Sequence, residues 1–455
     1  MGRRGAPVAA LACVFATLAL AGTAAADLTV GVNDDAGKFE GGASWFYPTM
    51  AGTGLEVNAI TLRWDETAPT VVPDEAVVDE AIARAQTSGI TVELDIYPLR
   101  SQVFTNGARC GPSADPEACG SAARIRQFAA WAALVARTFP TVREFVVMNE
   151  CNQPLFVNPQ WDAAGKNQSA AICGRALAAA YDALKAESSG IHVWGIGLSP
   201  RGNDRPNAVS NSSTKPVTFL RALGDWFRAF AKKTGRTAPL MDGLDFHPYP
   251  IPQSQAFATG YADLQSASVS NLPRIYQAFY DAFAGTPQRT IGQQPGGGLP
   301  VSLNETGIQT AADGKIGYSG LEVSASPAGG VLGKFGTEDY QASWYLQMLD
   351  LVACDPNIQV VNIFHLIDEE NLAGWQSGLY YADRTAKRSA RAVRDWISRT
   401  SGACQGAERA WRPEAKAGAL KPPKVTSGKA KAKTRSRLPT AKSAKAGSKQ
   451  KPPAT

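Results

Sequence analysis

Two glutamates in the 455-residue chain stand where a buried-looking apolar run gives way to a polar one. Glu150 lies in Val146-Val-Met-Asn-Glu-Cys-Asn-Gln-Pro154, and Glu305 in Val301-Ser-Leu-Asn-Glu-Thr-Gly-Ile-Gln309. A carboxylate carried on an apolar strand is costly to bury unless something pairs with it or uses it. A single one is ordinarily just a strand end, whereas two in matching positions read as a pair. Cleavage of a glycosidic bond needs such a pair: one carboxyl donates a proton to the departing oxygen, and one carboxylate attacks or stabilises an oxocarbenium-like carbon. When the second is the nucleophile, the two sit about 5–5.5 Å apart.

Other chemistries find less to work with. The three histidines, His192, His247 and His365, fall on three different predicted strands, which argues against a metal centre. Gly197-Leu-Ser-Pro-Arg201 lacks the closing glycine of a serine-hydrolase elbow, and Pro295-Gly-Gly-Gly298 lacks the Lys-Ser/Thr of a phosphate loop. No cofactor and no metal are expected.

The elements that must carry the pair alternate regularly. Strands are predicted at Leu28–Val32, Asn58–Trp64, Ile90–Tyr97, Arg143–Asn149, His192–Leu198, Gly243–His247, Val301–Glu305 and Val360–Ile367. Several show no polar alternation, as in parallel strands covered on both faces. Helical patterns lie at Asp74–Gln86, Ala122–Arg137, Ser169–Glu187, Val217–Lys233, Asn271–Phe283, Thr337–Cys354 and Arg384–Arg399, with a weak one at Ser44–Met50. Eight such units over residues 27–411 predict an α/β fold, a single (β/α)8 TIM barrel, with a doubly wound open sheet as the alternative. In such a barrel the C-terminal ends of the strands carry the chemistry, which is where Glu150 and Glu305 fall, on strands four and seven.

With these motifs in place, the chain resembles the clan of retaining glycoside hydrolases with catalytic glutamates on strands four and seven. Within that clan it is similar to cellulase-like (family 5) and xylosidase-like (family 39) members. Asn149-Glu150 resembles the acid/base motif, and Glu305-Thr306-Gly307 with Gln309 the nucleophile motif. Arg63 in Ile60-Thr-Leu-Arg-Trp64 resembles the arginine of strand two. His247 and Tyr249 in Asp245-Phe-His-Pro-Tyr-Pro250 resemble the His-x-Tyr element of strand six, and Gly378-Leu-Tyr-Tyr-Ala-Asp383 the closing segment. The likeness spans about Leu28 to Ile397. It implies Glu150 as acid/base, Glu305 as nucleophile, Asn149 bonding the sugar 2-hydroxyl, Arg63 keeping Glu305 ionised, and His247 or Tyr249 orienting a carboxyl. It further implies a retaining O-glycosidase acting on an oligo- or polysaccharide, β-linked if the clan is followed. One departure stands out: the strand-eight tryptophan platform is missing, His365 sits near its place, and Trp375 in the next loop is a substitute. A non-catalytic carbohydrate-binding barrel on the cell wall is the alternative reading.

The two ends differ from the body. Net charge is +6, with +2 in residues 1–26 and +12 in residues 412–455, which leaves −8 for residues 27–411. Arg3-Arg4, an apolar run from Val8 to Ala21 and Ala24-Ala-Ala26 predict a cleaved signal peptide, residues 1–26. Export makes the six remaining cysteines an even set for disulfides, with Cys110–Cys119, Cys151–Cys173 and Cys354–Cys404 favoured by position. Residues 412–455 are rich in Lys, Ala, Pro and Ser and predict a disordered basic tail. In an exported protein, secreted or cell-wall associated, such a polycation is expected to meet anionic wall polymers, acidic glycans or lipid headgroups rather than a specific nucleic acid. No transmembrane segment and a monomer are expected.

Overall fold

Eight short strands follow one another in chain order around a closed parallel barrel. They are β1 (Thr29–Asn33), β2 (Val57–Trp64), β3 (Thr91–Pro98), β4 (Glu144–Val147), β5 (His192–Leu198), β6 (Gly243–Phe246), β7 (Val301–Thr306) and β8 (Ile358–Ile363). The ring closes where Val30 of β1 pairs with Val361 of β8. The computed structural model describes residues 27–40, 45–105, 122–208, 212–253, 255–292, 298–312, 315–320 and 336–414. The expected signal peptide, the Cys110–Cys119 pair, most of the glycine-rich loop at 295–298 and nearly all of the basic tail lie outside them.

Helices connect the strands: α1 (Ala36–Phe39), α2 (Phe46–Thr53), α3 (Glu75–Thr87), α4 (Ala122–Thr138), α5 (Ser169–Glu187), α6 (Pro216–Thr234), α7 (Pro273–Phe283), α8 (Glu338–Val352) and α9 (Arg388–Thr400). Their starts follow local chemistry. Pro216 and Pro273 open α6 and α7, where a missing N–H costs nothing. Thr337 caps α8 by accepting the Tyr340 N–H, ahead of Glu338 and Asp339 in the first turn. On α6, Leu220, Leu223 and Phe227 repeat at helical spacing and are buried together. The (β/α)8 expectation holds. Three strands end earlier than expected, β4 at Val147, β6 at Phe246 and β8 at Ile363, because the residues beyond them turn into the barrel mouth instead of continuing the ladder.

The inside of the barrel is unusually polar. Asp95 Oδ2 accepts from Asn33 Nδ2 at 3.0 Å and from Asn304 Nδ2 at 2.9 Å, while Asn362 Nδ2 donates to Asn304 Oδ1 at 2.6 Å. This chain ties β1, β3, β7 and β8 together across the interior, where aliphatic layers are the commoner filling. Glu93 and Asp245 are buried as well. Burial first, and the neighbouring carboxylates second, push Glu93 and Asp95 well above the ordinary carboxylate range.

Candidate active site

Both glutamates reach the mouth of the barrel, by different local devices. The register between β7 and β8 shifts between Leu303 and Thr306. There, consecutive residues both point inward: Asn304 joins the interior hydrogen-bond chain, and Glu305 enters the cavity above it. Glu150 lies three residues past β4, on a turn in which Met148 (φ 70°) and Glu150 (φ 35°) are left-handed. Two such non-glycine positions cost about 1–3 kcal/mol each, so the surroundings must hold them. They do so through the Glu150 N–H, which donates to the Gly197 carbonyl at 2.7 Å. The Cys151–Cys173 disulfide also ties this turn to α5, with Cα atoms 6.2 Å apart. Asn152 adds bonds to the Ser199 and Thr214 carbonyls at 3.1 and 2.9 Å.

The pair meets at one imidazole. His247, directly after β6 and 1% exposed, has its Nδ1 3.4 Å from Glu150 Oε1 and 3.4 Å from Glu305 Oε2. Those two carboxylate oxygens are therefore no farther apart than twice that distance. Tyr249 Oη donates to Glu305 Oε2 at 3.2 Å. Burial pushes Glu305 up to about 7 against the pull of His247, with Glu150 and Asp245 adding to the rise. Burial also drives Tyr249 well above its ordinary value, so it stays a hydrogen-bond donor.

A cavity of about 810 Å³ opens over the pair, lined among others by Asn149, Gln153, Arg201, His365, Trp375 and Arg384. Tyr249, Phe364 and Trp375 form an aromatic corner: Tyr249 and Trp375 have ring centroids 4.8 Å apart, and Phe364 meets Trp375 edge-on at 5.8 Å. Aromatic faces of this kind suit the C–H faces of a sugar. His365 lies behind them at 6% exposure. Burial and the nearby Lys387 lower it to about 3, so it is a neutral ring. Among the described residues, no group of three or more His, Cys, Asp or Glu side chains is arranged to hold a metal ion.

The structure brings Glu150, Glu305, Asn149, His247, Tyr249, His365 and Trp375 to one cavity. Arg63 is the residue it leaves out. Arg63 shares a β2 face with the cavity-lining Thr61, but its side chain is exposed and lies outside the lining. The basic side chain beside Glu305 is His247, at 3.4 Å, where the sequence reading expected Arg63. Two further aromatic residues, Trp45 and Tyr97, line the cavity, whereas Trp64 packs in the core against Phe104. The sequence reading missed Asp34, whose Oδ2 accepts the Leu366 and Ile367 N–H groups at 2.9 and 3.1 Å and so fixes the turn after β8. Its signal was the polar run Asn33-Asp34-Asp35 at the end of β1. Asp245 was also missed, although it stands two residues before His247.

No family model matches the chain, and no curated protein matches it. Solved structures do. One is a family 39 glycoside hydrolase from Bacteroides cellulosilyticus, with a TM-score of 0.52 and 14% identity over 81% of this chain and 63% of that one. A family 5 glycoside hydrolase from Streptomyces cattleya gives 0.48 at 15% identity, covering 85% and 83%. A monomeric beta-xylosidase from Caulobacter crescentus gives 0.46 at 15% identity, covering 82% and 68%. The chain thus spans less than two thirds of the length of the family 39 enzyme. At 14% identity the likeness to that enzyme is one of fold, a (β/α)8 barrel shared with a glycoside hydrolase.

Proposed function

We propose that the chain is an exported retaining glycoside hydrolase, with Glu305 as nucleophile and Glu150 as acid/base. The observation that carries this reading is the convergence of the two glutamates, from β7 and from the turn after β4, on a single buried imidazole nitrogen beside an open cavity that both of them line. The retaining mechanism is taken from the resemblance to the clan: it calls for carboxyl groups about 5–5.5 Å apart, against roughly 6.5–9.5 Å in an inverting pair. In the first step the Glu305 carboxylate bonds to the anomeric carbon as the C–O bond breaks, and Glu150 gives its proton to the leaving oxygen. In the second step Glu150 takes a proton from water, whose oxygen displaces Glu305 and releases the sugar. Asn149, which lines the cavity, is proposed to bond the 2-hydroxyl, as the resemblance to the clan implies, and Tyr249 donates to one oxygen of Glu305.

The substrate is proposed to be a β-linked oligo- or polysaccharide, in keeping with the resemblance to the clan and with the aromatic corner at Trp375. Export is supported by the leader pattern and by the two disulfides, Cys151–Cys173 and Cys354–Cys404. The basic segment 412–455 is proposed to hold the enzyme on anionic wall polymers. Truncation after Trp411 should then abolish salt-sensitive retention on isolated walls and spare turnover of small glycosides. The chemistry is tested by proton NMR of the first product formed from aryl β-glycosides. Retained anomeric configuration is expected; inversion would remove Glu305 as nucleophile, and no turnover across a broad glycan panel would favour a binding barrel.

A further inference from the structure

Asp245, on β6, has no solvent exposure. Its Oδ1 accepts the Asn304 backbone N–H at 3.2 Å. Its Oδ2 lies 3.4 Å from His247 Nε2, an ion-pair distance, and among the described residues neither of these buried atoms has a hydrogen-bond partner. On the other side of the ring, Nδ1 faces Glu150 and Glu305 at equal distance. A neutral imidazole has one N–H and one lone pair, so one of its nitrogens would present a lone pair to a carboxylate. Only the protonated ring offers a donor on both sides. The ring cannot swing to avoid this. Gly197 is packed so closely that a Cβ there would lie 3.1 Å from both Cε1 and Nε2 of His247.

We propose that Asp245 is a positioning residue, which fixes His247 as a buried imidazolium between Glu150 and Glu305 and so supplies the counter-charge that Arg63, out on the rim, does not. This rests on the reading of those two glutamates as the catalytic pair. During glycosylation, negative charge leaves Glu305 as its oxygen bonds to the anomeric carbon. It appears on Glu150 as that residue's proton goes to the leaving oxygen. An imidazolium equidistant from both keeps an anionic partner throughout the step and need not move. The groups facing His247 agree with this. Asp245 from β6, Glu150 from the turn after β4, Glu305 from β7 and Asp95 from β3 are all acidic, and the nearby tyrosines Tyr97 and Tyr249 stay uncharged. Burial opposes the charge on His247, but the carboxylates of Glu305, Asp245 and Glu150 outweigh it and hold the ring well above its ordinary 6.5.

The test is nitrogen-15 NMR of the imidazoles of the whole protein between pH 5 and 9. The chain has only three histidines, and a His247→Gln variant assigns the signal. Both His247 nitrogens should stay protonated well above pH 6.5; titration near 6.5, or a neutral ring throughout, would overturn the proposal. In Asp245→Asn, His247 should titrate at lower pH. The acid limb of kcat/KM should then move up by about one unit as Glu305 loses its positive neighbour, while KM changes little. A variant that is merely less stable, with the wild-type pH profile, would also overturn it. If Asp245→Asn does not fold, the wild-type spectrum decides alone. The NMR result does not depend on turnover, so an imidazolium in a protein that cleaves no glycoside would sink the catalytic reading and leave the assignment of His247 standing.

Discussion

Lys387 offers the sharpest perturbation outside the pair of glutamates. Its Nζ donates to Asp368 Oδ1 at 2.7 Å and to the Gln376 carbonyl at 3.0 Å, and both charged side chains are fully buried. Asp368 also accepts from Tyr318 Oη at 2.6 Å and from the Gly378 N–H at 2.8 Å. Together they pin the loop after β8, which carries Trp375 into the cavity. Lys387→Met fills the stem but leaves a buried carboxylate without its cation, a loss of about 3–5 kcal/mol. For a folded unit of this length that is roughly 4–6 °C in melting temperature. The penalty should depend on pH in a definite direction. Burial already raises Asp368 while Lys387 holds it down. Without Lys387 the carboxyl can escape its charge by taking up a proton, so the variant should lose less at pH 5 than at pH 8. A loosened Trp375 should raise KM more than it lowers kcat. The assays are denaturant unfolding at the two pH values and steady-state kinetics on an aryl glycoside. A penalty below about 1 kcal/mol, the range of exposed pairs, or one equal at both pH values, would refute the reasoning.

Three further outcomes are expected. Thermal stability should fall as pH rises from 6.5 to 8.5. Buried Asp34 and Glu305 are pushed up to about 7, Glu93, Asp95 and His247 lie well above their ordinary values, and stability held by such groups is lost as pH climbs through their folded-state values. His365, lowered to about 3, contributes an opposite slope only below its ordinary 6.5, so calorimetry above that point reads the first group; a rising melting temperature there would contradict it. Tyr249→Phe removes the donor to Glu305 and should lower kcat/KM by roughly 10- to 100-fold, the worth of one hydrogen bond to a charged group, with the fold intact by circular dichroism. Replacing Cys151 and Cys173 by alanine should cost roughly 3 kcal/mol of stability on loop-closure grounds for 22 residues, and should lower kcat because the turn bearing Glu150 loses its tie to α5.

Much of this was legible in the chain because a (β/α)8 barrel announces itself twice, in the alternation of its elements and in the polar residues that end its strands. Val146-Val147 leading to Glu150 and Val301 leading to Glu305 show both signals at once. What stayed hidden depends on side-chain direction in three dimensions. Arg63 lies at the right place in sequence, yet β2 carries its guanidinium to the rim. Asp245 has the alternation of an ordinary strand residue, and only the closed barrel shows that it points at His247. Asn304 and Glu305, as neighbours on one strand, would be assigned to opposite faces by a period of two. The register shift beside β8 lets both face inward, and no local residue pattern reports it.

The most direct test of the central claim is mass spectrometry of a trapped intermediate. The protein would be incubated with a panel of activated 2-deoxy-2-fluoro β-glycosides, digested, and its peptides sequenced. One sugar attached through an ester to Glu305 is the expected result, with the adduct lost on slow turnover and absent in Glu305→Gln. A label on Glu150, or turnover of the matching glycoside to an inverted product with no adduct at any position, would contradict it.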